Sequence, residues 1–215
     1  MKFFSTIVLL VVINLSAFSQ RFEGTIDIVK KTHTDTTYYS YTIKKQQIRI
    51  DEYDKYKELK KTYLLNLKDS SIFAINHTQK IYMPVKRQKA IEFAENKPEI
   101  INTGNYKYIE GYKCYQWRVR DESSNTEIAY WIAQENFDFF KPMSVLWQNI
   151  ETSFSFFTLL PLNNIAGNMP LLTESRTLLR DEKAIYTVIK IETASIENEK
   201  VFTIPETYNM HEVIR

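Results

Sequence analysis

The chain has 215 residues, 28 basic and 26 acidic side chains for a net charge of +2, and a composition rich in tyrosine (14) and phenylalanine (13). This near balance of charge argues against a role dominated by electrostatic binding to nucleic acid or to a membrane surface. Only 4 glycines are present, which argues against phosphate-cradling loops, and Cys114 is the single cysteine, which excludes an intramolecular disulfide. Cys114 is expected to be a buried strand residue.

Residues 1–19 are predicted to be a signal peptide. Lys2 supplies a positive charge, residues 7–13 form an apolar run, and Ala17 and Ser19 have the small-residue spacing of a cleavage site. The run is shorter than the roughly twenty residues of a transmembrane helix, and no later run is long enough. We therefore expect residues 20–215 to form one domain that is exported to the periplasm, or secreted, and is soluble after cleavage, with no transmembrane span.

The first half of the mature chain alternates apolar and polar residues, which predicts short antiparallel strands. Tyr39 and Tyr41 fall on one face of such a strand, together with Ile43. Residues 51–61 are predicted to be a charged connection, and residues 86–99 an exposed loop or short helix. The predicted strands are residues 22–31, 36–45, 46–52, 62–68, 71–76 and 80–85.

Strands resume after the charged segment. Residues 106–109, 112–121 and 126–133 alternate again, and Trp117 shares one face of its strand with Tyr115 and Val119, opposite Cys114. Residues 170–179 and 184–195 predict a last hairpin, and residues 202–208 a docked tail. Aromatic and β-branched residues favour sheet throughout.

One long amphipathic helix is predicted over residues 142–161, between Pro142 and Pro161. Its apolar stripe follows the spacing of one helix face: Met143, Leu146, Trp147, Ile150, Phe154 and Phe157. The opposite face is polar, with Ser144, Gln148, Glu151 and Ser155. We expect this helix to cover the open face of a curved sheet.

Several short segments carry a resemblance to a known group. They are Phe22-Glu23-Gly24-Thr25-Ile26, Tyr41-Thr42-Ile43-Lys44, Ile48-Arg49-Ile50-Asp51, Lys80-Ile81-Tyr82-Met83, Ile109-Glu110-Gly111-Tyr112-Lys113-Cys114, Met169-Pro170-Leu171 and Phe202-Thr203-Ile204-Pro205-Glu206-Thr207-Tyr208. In this order they resemble a group of uncharacterised exported proteins of Gram-negative bacteria that are related to the LolA/LppX lipoprotein-carrier superfamily.

The resemblance implies a mainly β, α+β fold: a highly curved antiparallel sheet that forms an open half-barrel, with one or more helices over its concave face. In the carrier relatives, the space between sheet and helices holds acyl chains. No catalytic residue is implied for this chain. The aromatic run around 137–160 departs from the carriers, because its side chains are bulky enough to fill that space.

Catalytic and metal-binding patterns are weak in this sequence. His33, His77 and His211 lack the spacing of a zinc site, and Asp51, Glu52 and Asp54 are interpreted as a solvated turn rather than as a calcium site. No nucleophile motif is present. We therefore expect no metal, no cofactor and no enzymatic activity.

Three roles remain open for the aromatic helix. It can pack fully, as the core of a non-catalytic structural or interaction domain of the cell envelope, or it can line an apolar pocket. Alternatively, Phe156, Leu159 and Leu160 lie exposed as a docking patch. We favour a monomeric passive carrier or sensor of a hydrophobic or lipid-like ligand. The candidate pocket residues are Trp147, Ile150, Phe154, Phe157, Leu146, Tyr39, Tyr41 and Trp117.

Overall fold

A computed structural model describes residues 21–86, 97–148, 150–162 and 167–211. The predicted signal peptide and most of the charged segment at 86–99 lie outside the described residues. The strands are β1 (Gly24–Thr32), β2 (Thr36–Lys44), β3 (Gln47–Tyr53), β4 (Leu59–Asn66), β5 (Ser71–Asn76), β6 (Ile81–Pro84), β7 (Glu99–Ile109), β8 (Tyr112–Asp121), β9 (Thr126–Ala133), β10 (Met169–Arg176), β11 (Glu182–Thr193) and β12 (Asn209–Met210).

All of these strands belong to one open sheet, in the order β12-β6-β5-β4-β3-β2-β1-β11-β10-β9-β8-β7. Two antiparallel meanders, β1 to β6 and β7 to β11, meet where β1 pairs with β11, and β12 adds to β6 in parallel. Core residues on β5 and on β8 belong to one hydrophobic cluster although the strands are far apart in the sheet, so the sheet curves around that cluster. The predicted open, curved antiparallel sheet is confirmed.

The alternation predicted for the strands is present in the sheet. Ile26 and Ile28 on β1 share the concave face with Tyr41 and Ile43 on β2, and all four side chains are buried. The tight hairpin between β7 and β8 follows from Glu110 and Gly111, whose φ angles of 48° and 81° are those that a type I′ turn requires. Hairpins of this kind keep neighbouring strands antiparallel along the chain.

The segment that covers the concave face is less helical than the sequence predicts. Helix α1 spans Phe140–Trp147, and two 3-10 helices follow at Thr152–Phe154 and Phe157–Leu159, so the prediction of one helix over 142–161 is wrong. The side chain of Glu151 accepts a hydrogen bond from the Ser153 backbone N–H and starts a new turn. Serine, threonine and phenylalanine are also poorer helix formers than alanine or leucine. We call residues 137–160 the lid.

The lid is buried on more than one side. The residues predicted to form its polar face are buried. They are Ser144, Gln148, Glu151 and Ser155. Phe156 and Leu160 are also buried and Leu159 is half-buried, so the alternative of an exposed docking patch at these positions is wrong. A short helix followed by tight turns rotates the side chains away from the positions that a continuous helix would give them.

Several strands extend beyond their predicted bounds, among them β7, β3 and β4. β7 begins at Glu99 rather than at residue 106, because a bulge between Asn102 and Tyr106 interrupts the alternation from which strands are predicted. Within the bulge, the Thr103 hydroxyl donates to the Gln116 backbone carbonyl at 3.1 Å. β3 and β4 also extend into the predicted 51–61 connection, which leaves only residues 54–58 between them.

The chain after β11 docks on the convex face, and this C-terminal tail includes residues 202–208, for which a docked tail is predicted. Lys44 Nζ donates to the Ile196 carbonyl at 2.7 Å, and Arg49 donates to the Val201 carbonyl at 3.1 Å. Phe202 is buried, and β12 then completes the sheet beside β6. These contacts attach the end of the chain to the N-terminal meander.

Gly24 is a position where the fold depends on the absence of a side chain. Its φ is +150°, and a Cβ atom would lie 2.0 Å from the carbonyl oxygen of Glu192 on β11. We expect Gly24→Ala to lower the free energy of unfolding by at least about 2 kcal/mol, measured by urea denaturation.

Gly104→Ala is the matched control. Gly104 also has a positive φ of +72°, but its Cβ would meet no atom within 4 Å. Backbone strain alone is expected to lower its stability by about 1 kcal/mol. Equal losses in the two variants would contradict the close approach of β1 to β11 at Gly24.

Candidate functional site

The space between the lid and the concave face is occupied by an aromatic cluster. The Phe140 ring is 4.9 Å from the Phe157 ring and 5.4 Å from the Phe154 ring, each in an edge-on arrangement. The Tyr63 ring on β4 lies 4.8 Å from the Trp147 ring, also edge-on. Edge-on pairs of this kind stabilise a cluster beyond the burial of their area.

All eight residues predicted to line a pocket lie in or against this cluster. Trp147, Phe154, Phe157 and Tyr41 are buried members of it. The other four are partly buried and pack against it: Leu146, Ile150, Tyr39 and Trp117. The sheet and the lid therefore bring together residues that are far apart in the sequence, although their role in binding remains a prediction.

A row of polar side chains crosses the concave face inside this apolar environment. Thr173 on β10 lies opposite Tyr130 on β9 and opposite Tyr186 on β11, and Tyr186 lies opposite Lys30 on β1. Opposite residues in antiparallel strands share a face with their Cβ atoms about 5 Å apart. We call Tyr130, Thr173, Tyr186 and Lys30 the polar row.

The two ends of the polar row are bonded to the lid. Tyr130 donates its hydroxyl hydrogen to the Ser153 carbonyl at 2.7 Å. Lys30 Nζ forms an ion pair with Glu151 Oε2 at 2.8 Å, and Glu151 is buried. Because these two bonds join the lid to the sheet, they help to fix how closely the lid covers the concave face.

Tyrosines near the lid are held in their neutral form. Burial raises the pKa of Tyr63 to about 12, and the nearby Glu52 carboxylate acts in the same direction. Burial, followed by Glu52, raises the pKa of Tyr39 well above its ordinary value, and burial does the same for Tyr41. At neutral pH these groups are therefore protonated phenols that can donate hydrogen bonds.

Sequence reasoning missed the polar row and its partner Glu151. Lys30 follows Ile26 and Ile28 at the same alternating spacing, so the strand pattern alone places this lysine on the buried face. A charged residue at such a position needs a partner of opposite charge. That signal was present in the sequence, but the identity of the partner was not.

Asp51 and His77, two of the residues weighed as metal ligands, have other contacts. Thr62 hydrogen bonds to Asp51 and, at 2.7 Å, to His77, whose other ring nitrogen lies 3.0 Å from the Tyr208 hydroxyl on the tail. Burial, followed by the charge of Arg49, lowers the pKa of His77. Among the described residues, no group of three or more His, Cys, Asp or Glu side chains is arranged to hold a metal ion.

Cys114 is a buried free cysteine on β8, as predicted. Burial raises the pKa of its thiol to about 11. Since the thiolate is the reactive form, the thiol is unreactive in the folded protein.

A separate cavity of about 330 Å³ lies beneath the C-terminal tail, away from the lid. Leu64, Phe73 and Phe202 contribute its apolar walls, and Asn66 and Asp69 lie at its polar side. None of the eight predicted pocket residues lines it, so it is separate from the pocket predicted beneath the lid. Any binding experiment must therefore distinguish the two locations.

Comparison with known proteins identifies the family to which the chain belongs. A family model described as a domain of unknown function (DUF4412) matches residues 22–208. The comparison with curated proteins finds no match. The predicted membership of an uncharacterised domain family is confirmed.

Solved structures share the fold at low sequence identity. An uncharacterized conserved protein from Thermus thermophilus aligns with a TM-score of 0.51 at 6% identity, over 88% of this chain and 90% of that one. The MucA/MucB complex of Pseudomonas aeruginosa aligns with a TM-score of 0.50 at 6% identity, over 91% of this chain and 60% of that one. A putative outer membrane lipoprotein-sorting protein domain from Vibrio parahaemolyticus aligns at 8% identity over 83% of this chain and 87% of that one. Its TM-score is only 0.33, which is too low to indicate a shared fold.

The described residues contain no helix that is long and apolar enough to cross a membrane.

The ion pair between Lys30 and Glu151 is expected to stabilise the folded protein. We expect Lys30→Met to lower the free energy of unfolding by about 2–3 kcal/mol, because it leaves the Glu151 carboxylate buried without its cation. The measurement is urea denaturation followed by tryptophan fluorescence, since Trp147 lies in the lid.

The double variant Lys30→Met, Glu151→Gln is the control, because the glutamine amide oxygen can still accept the hydrogen bond from the Ser153 backbone N–H. Removing both charges also removes the buried unpaired carboxylate, so most of the lost stability is expected to return. A double variant as unstable as the single one would contradict the assigned role of this ion pair.

Proposed function

Because the chain belongs to the DUF4412 family of domains of unknown function, we propose a function from its geometry: an exported periplasmic protein that binds a hydrophobic or lipid-like ligand between the sheet and the lid. Binding is passive, and no bond of the ligand is made or broken. The protein acts as a carrier or as a sensor. The observation that supports this proposal is the buried cluster between the sheet and the lid, to which four of the eight predicted pocket residues belong and against which the other four pack.

The composition of this region suits an amphiphilic ligand. Ligand sites are mainly apolar and aromatic, with a few fixed polar groups that orient the bound molecule. Phe154 and Phe157 supply apolar surface, while neutral tyrosines such as Tyr39 supply hydrogen-bond donors near the ligand's polar end. Burial of apolar area gives about 25 cal/mol per Å² of driving force.

The lid is the part of the fold that is suited to move. It consists of one short helix and two 3-10 turns, and it lacks the continuous backbone pairing of the sheet. Segments with few backbone hydrogen bonds to their neighbours open at a lower free-energy cost than the strands of a sheet. Entry of a ligand therefore requires displacement of the lid and leaves the sheet intact.

A titration with Nile red tests this proposal. Leu146 is half-buried on α1 and packs against the cluster, so Leu146→Trp is expected to occupy ligand space and to weaken dye binding by about tenfold. Val145 is the next residue and is 48% exposed, so Val145→Trp is expected to bind the dye as the parent protein does.

A third variant distinguishes the two locations. Leu64→Trp fills the cavity beneath the tail and is expected to leave dye binding unchanged. Loss of binding in Leu64→Trp alone would overturn the proposed site. Native mass spectrometry of the protein purified from its own periplasm, with lipid extraction, then identifies the bound molecule. A parent protein that neither binds the dye nor carries a ligand would overturn the function itself.

The second candidate function is a non-catalytic interaction domain of the cell envelope. The observation that favours it is β7, an eleven-residue edge strand with Tyr106 and Tyr108 exposed. Long apolar edge strands are ready templates for a partner strand. The similar MucA/MucB structure is itself a complex of two proteins, and this likeness agrees with a role in partner binding.

Site-specific photo-crosslinking in cells tests this second candidate. A photo-reactive phenylalanine analogue replaces Tyr108, which is 68% exposed on β7, or Tyr56, which is 73% exposed far along the sheet. A partner at the edge predicts a discrete crosslinked species from position 108 and none from position 56. Equal or absent crosslinking at both positions would count against docking at β7.

A further inference from the structure

Two buried hydroxyl groups in the polar row have no hydrogen-bonding partner within the described part of the chain. They are Thr173 Oγ1 and Tyr186 OH. Thr173 is 1% exposed and Tyr186 is 4% exposed, so bulk water does not reach either group. Nearly all buried polar groups in folded proteins are hydrogen bonded, and an exception therefore calls for a specific explanation, of which a bound ligand is one.

The two hydroxyls belong to one place in the fold. Thr173 and Tyr186 are directly opposite one another on β10 and β11, and both side chains lie on the concave face. Their neighbours in the row, Tyr130 and Lys30, are already bonded to Ser153 and Glu151 on the lid. The hydroxyls of Thr173 and Tyr186 thus lie between two residues that are bonded to the lid, beneath the segment that covers the proposed ligand site.

Hydroxyls can donate hydrogen bonds to an acceptor on the ligand. The charge around them determines which acceptor fits. Lys30 Nζ is 5.1 Å from the Tyr186 ring centroid, but its charge is matched by Glu151 at 2.8 Å. A buried anionic head group would lack a counterion of its own, and burial of an unpaired charge is strongly unfavourable. An uncharged acceptor such as a carbonyl oxygen meets no such penalty.

The side chains around the two hydroxyls indicate which kind of molecule bears the carbonyl acceptor. The Phe154 ring lies 5.3 Å from the Tyr186 ring, and Val188 is buried on the same strand. We propose that Thr173 and Tyr186 donate hydrogen bonds to the uncharged ester carbonyl of an acyl amphiphile whose chain lies against the aromatic cluster. This inference rests on the proposed function and assigns its ligand class and its polar contact.

Two matched amphiphiles test the assignment. Monolauroylglycerol carries an ester carbonyl, and monododecylglycerol ether has the same head group and a chain of the same length without the carbonyl. Displacement of Nile red from the full-length mature protein measures both affinities. We expect the ester to bind about tenfold more tightly than the ether.

Variants attribute the preference to the two hydroxyls. Tyr186→Phe and Thr173→Val each remove one hydroxyl with little change of shape, and the double variant is expected to reduce the ester preference to below about twofold while ether binding is retained. Tyr208→Phe is the control, because its hydroxyl contacts His77 on the convex face, and it should keep the full preference. Equal binding of ester and ether by the parent protein, or an unchanged preference in the double variant, would overturn the assignment and leave the proposed function intact.

Two further measurements separate the remaining outcomes. Laurate is the anionic test ligand. If laurate binds more tightly than the ester, and Lys30→Met removes this difference in affinity, the proposal of an uncharged polar group is overturned in favour of an anionic one. Binding of neither amphiphile by the parent protein would overturn the proposed function together with this inference.

Urea denaturation without ligand tests the state of the two hydroxyls. The double variant should unfold at a urea concentration no lower than the parent's, since it removes two buried hydroxyls that have no hydrogen-bonding partner among the described residues. A clear decrease would show that both hydroxyls are already bonded.

Discussion

Burial of the concave face is the constraint on which the rest of the structure depends. An open sheet presents an apolar concave surface that it cannot bury against itself, because its edge strands β12 and β7 do not meet. The lid supplies the missing layer, and Trp147, Phe154 and Phe157 cover isoleucines and tyrosines from both meanders. The sheet, the lid and their shared cluster therefore depend on one another for stability, as is typical of a domain built from two packed layers.

The lid joins this apolar contact to a few specific polar ones. Hydrophobic burial is non-directional, so it does not by itself fix where the lid rests on the sheet. The Lys30–Glu151 ion pair and the bond from Tyr130 to the Ser153 carbonyl are directional and link particular positions on the two layers. The interface between the lid and the sheet thus combines an apolar interior with the polar row that crosses it.

The strands and their faces could be predicted from the sequence because the period of a strand is visible over a few residues. A covering segment at the lid could also be predicted, but its backbone path could not, because the same apolar spacing fits one long helix or a short helix followed by 3-10 turns. Only contacts with the sheet decide between the two. More than half of β7 could not be predicted for a related reason, because the bulge near Gly104 interrupts the alternation. Lys30 and Glu151 are 121 residues apart, so no local pattern reveals their pairing.

The buried thiol of Cys114 has a consequence for the behaviour of the chain in an oxidising compartment. A sulfur atom enclosed on β8, with its pKa raised to about 11, cannot form a disulfide with a second copy while the sheet is intact. The folded protein thus behaves towards oxidants as a cysteine-free protein. The thiol becomes exposed only in molecules in which β8 is unfolded. Disulfide-linked dimers formed through Cys114 would therefore identify misfolded molecules and distinguish them from native ones.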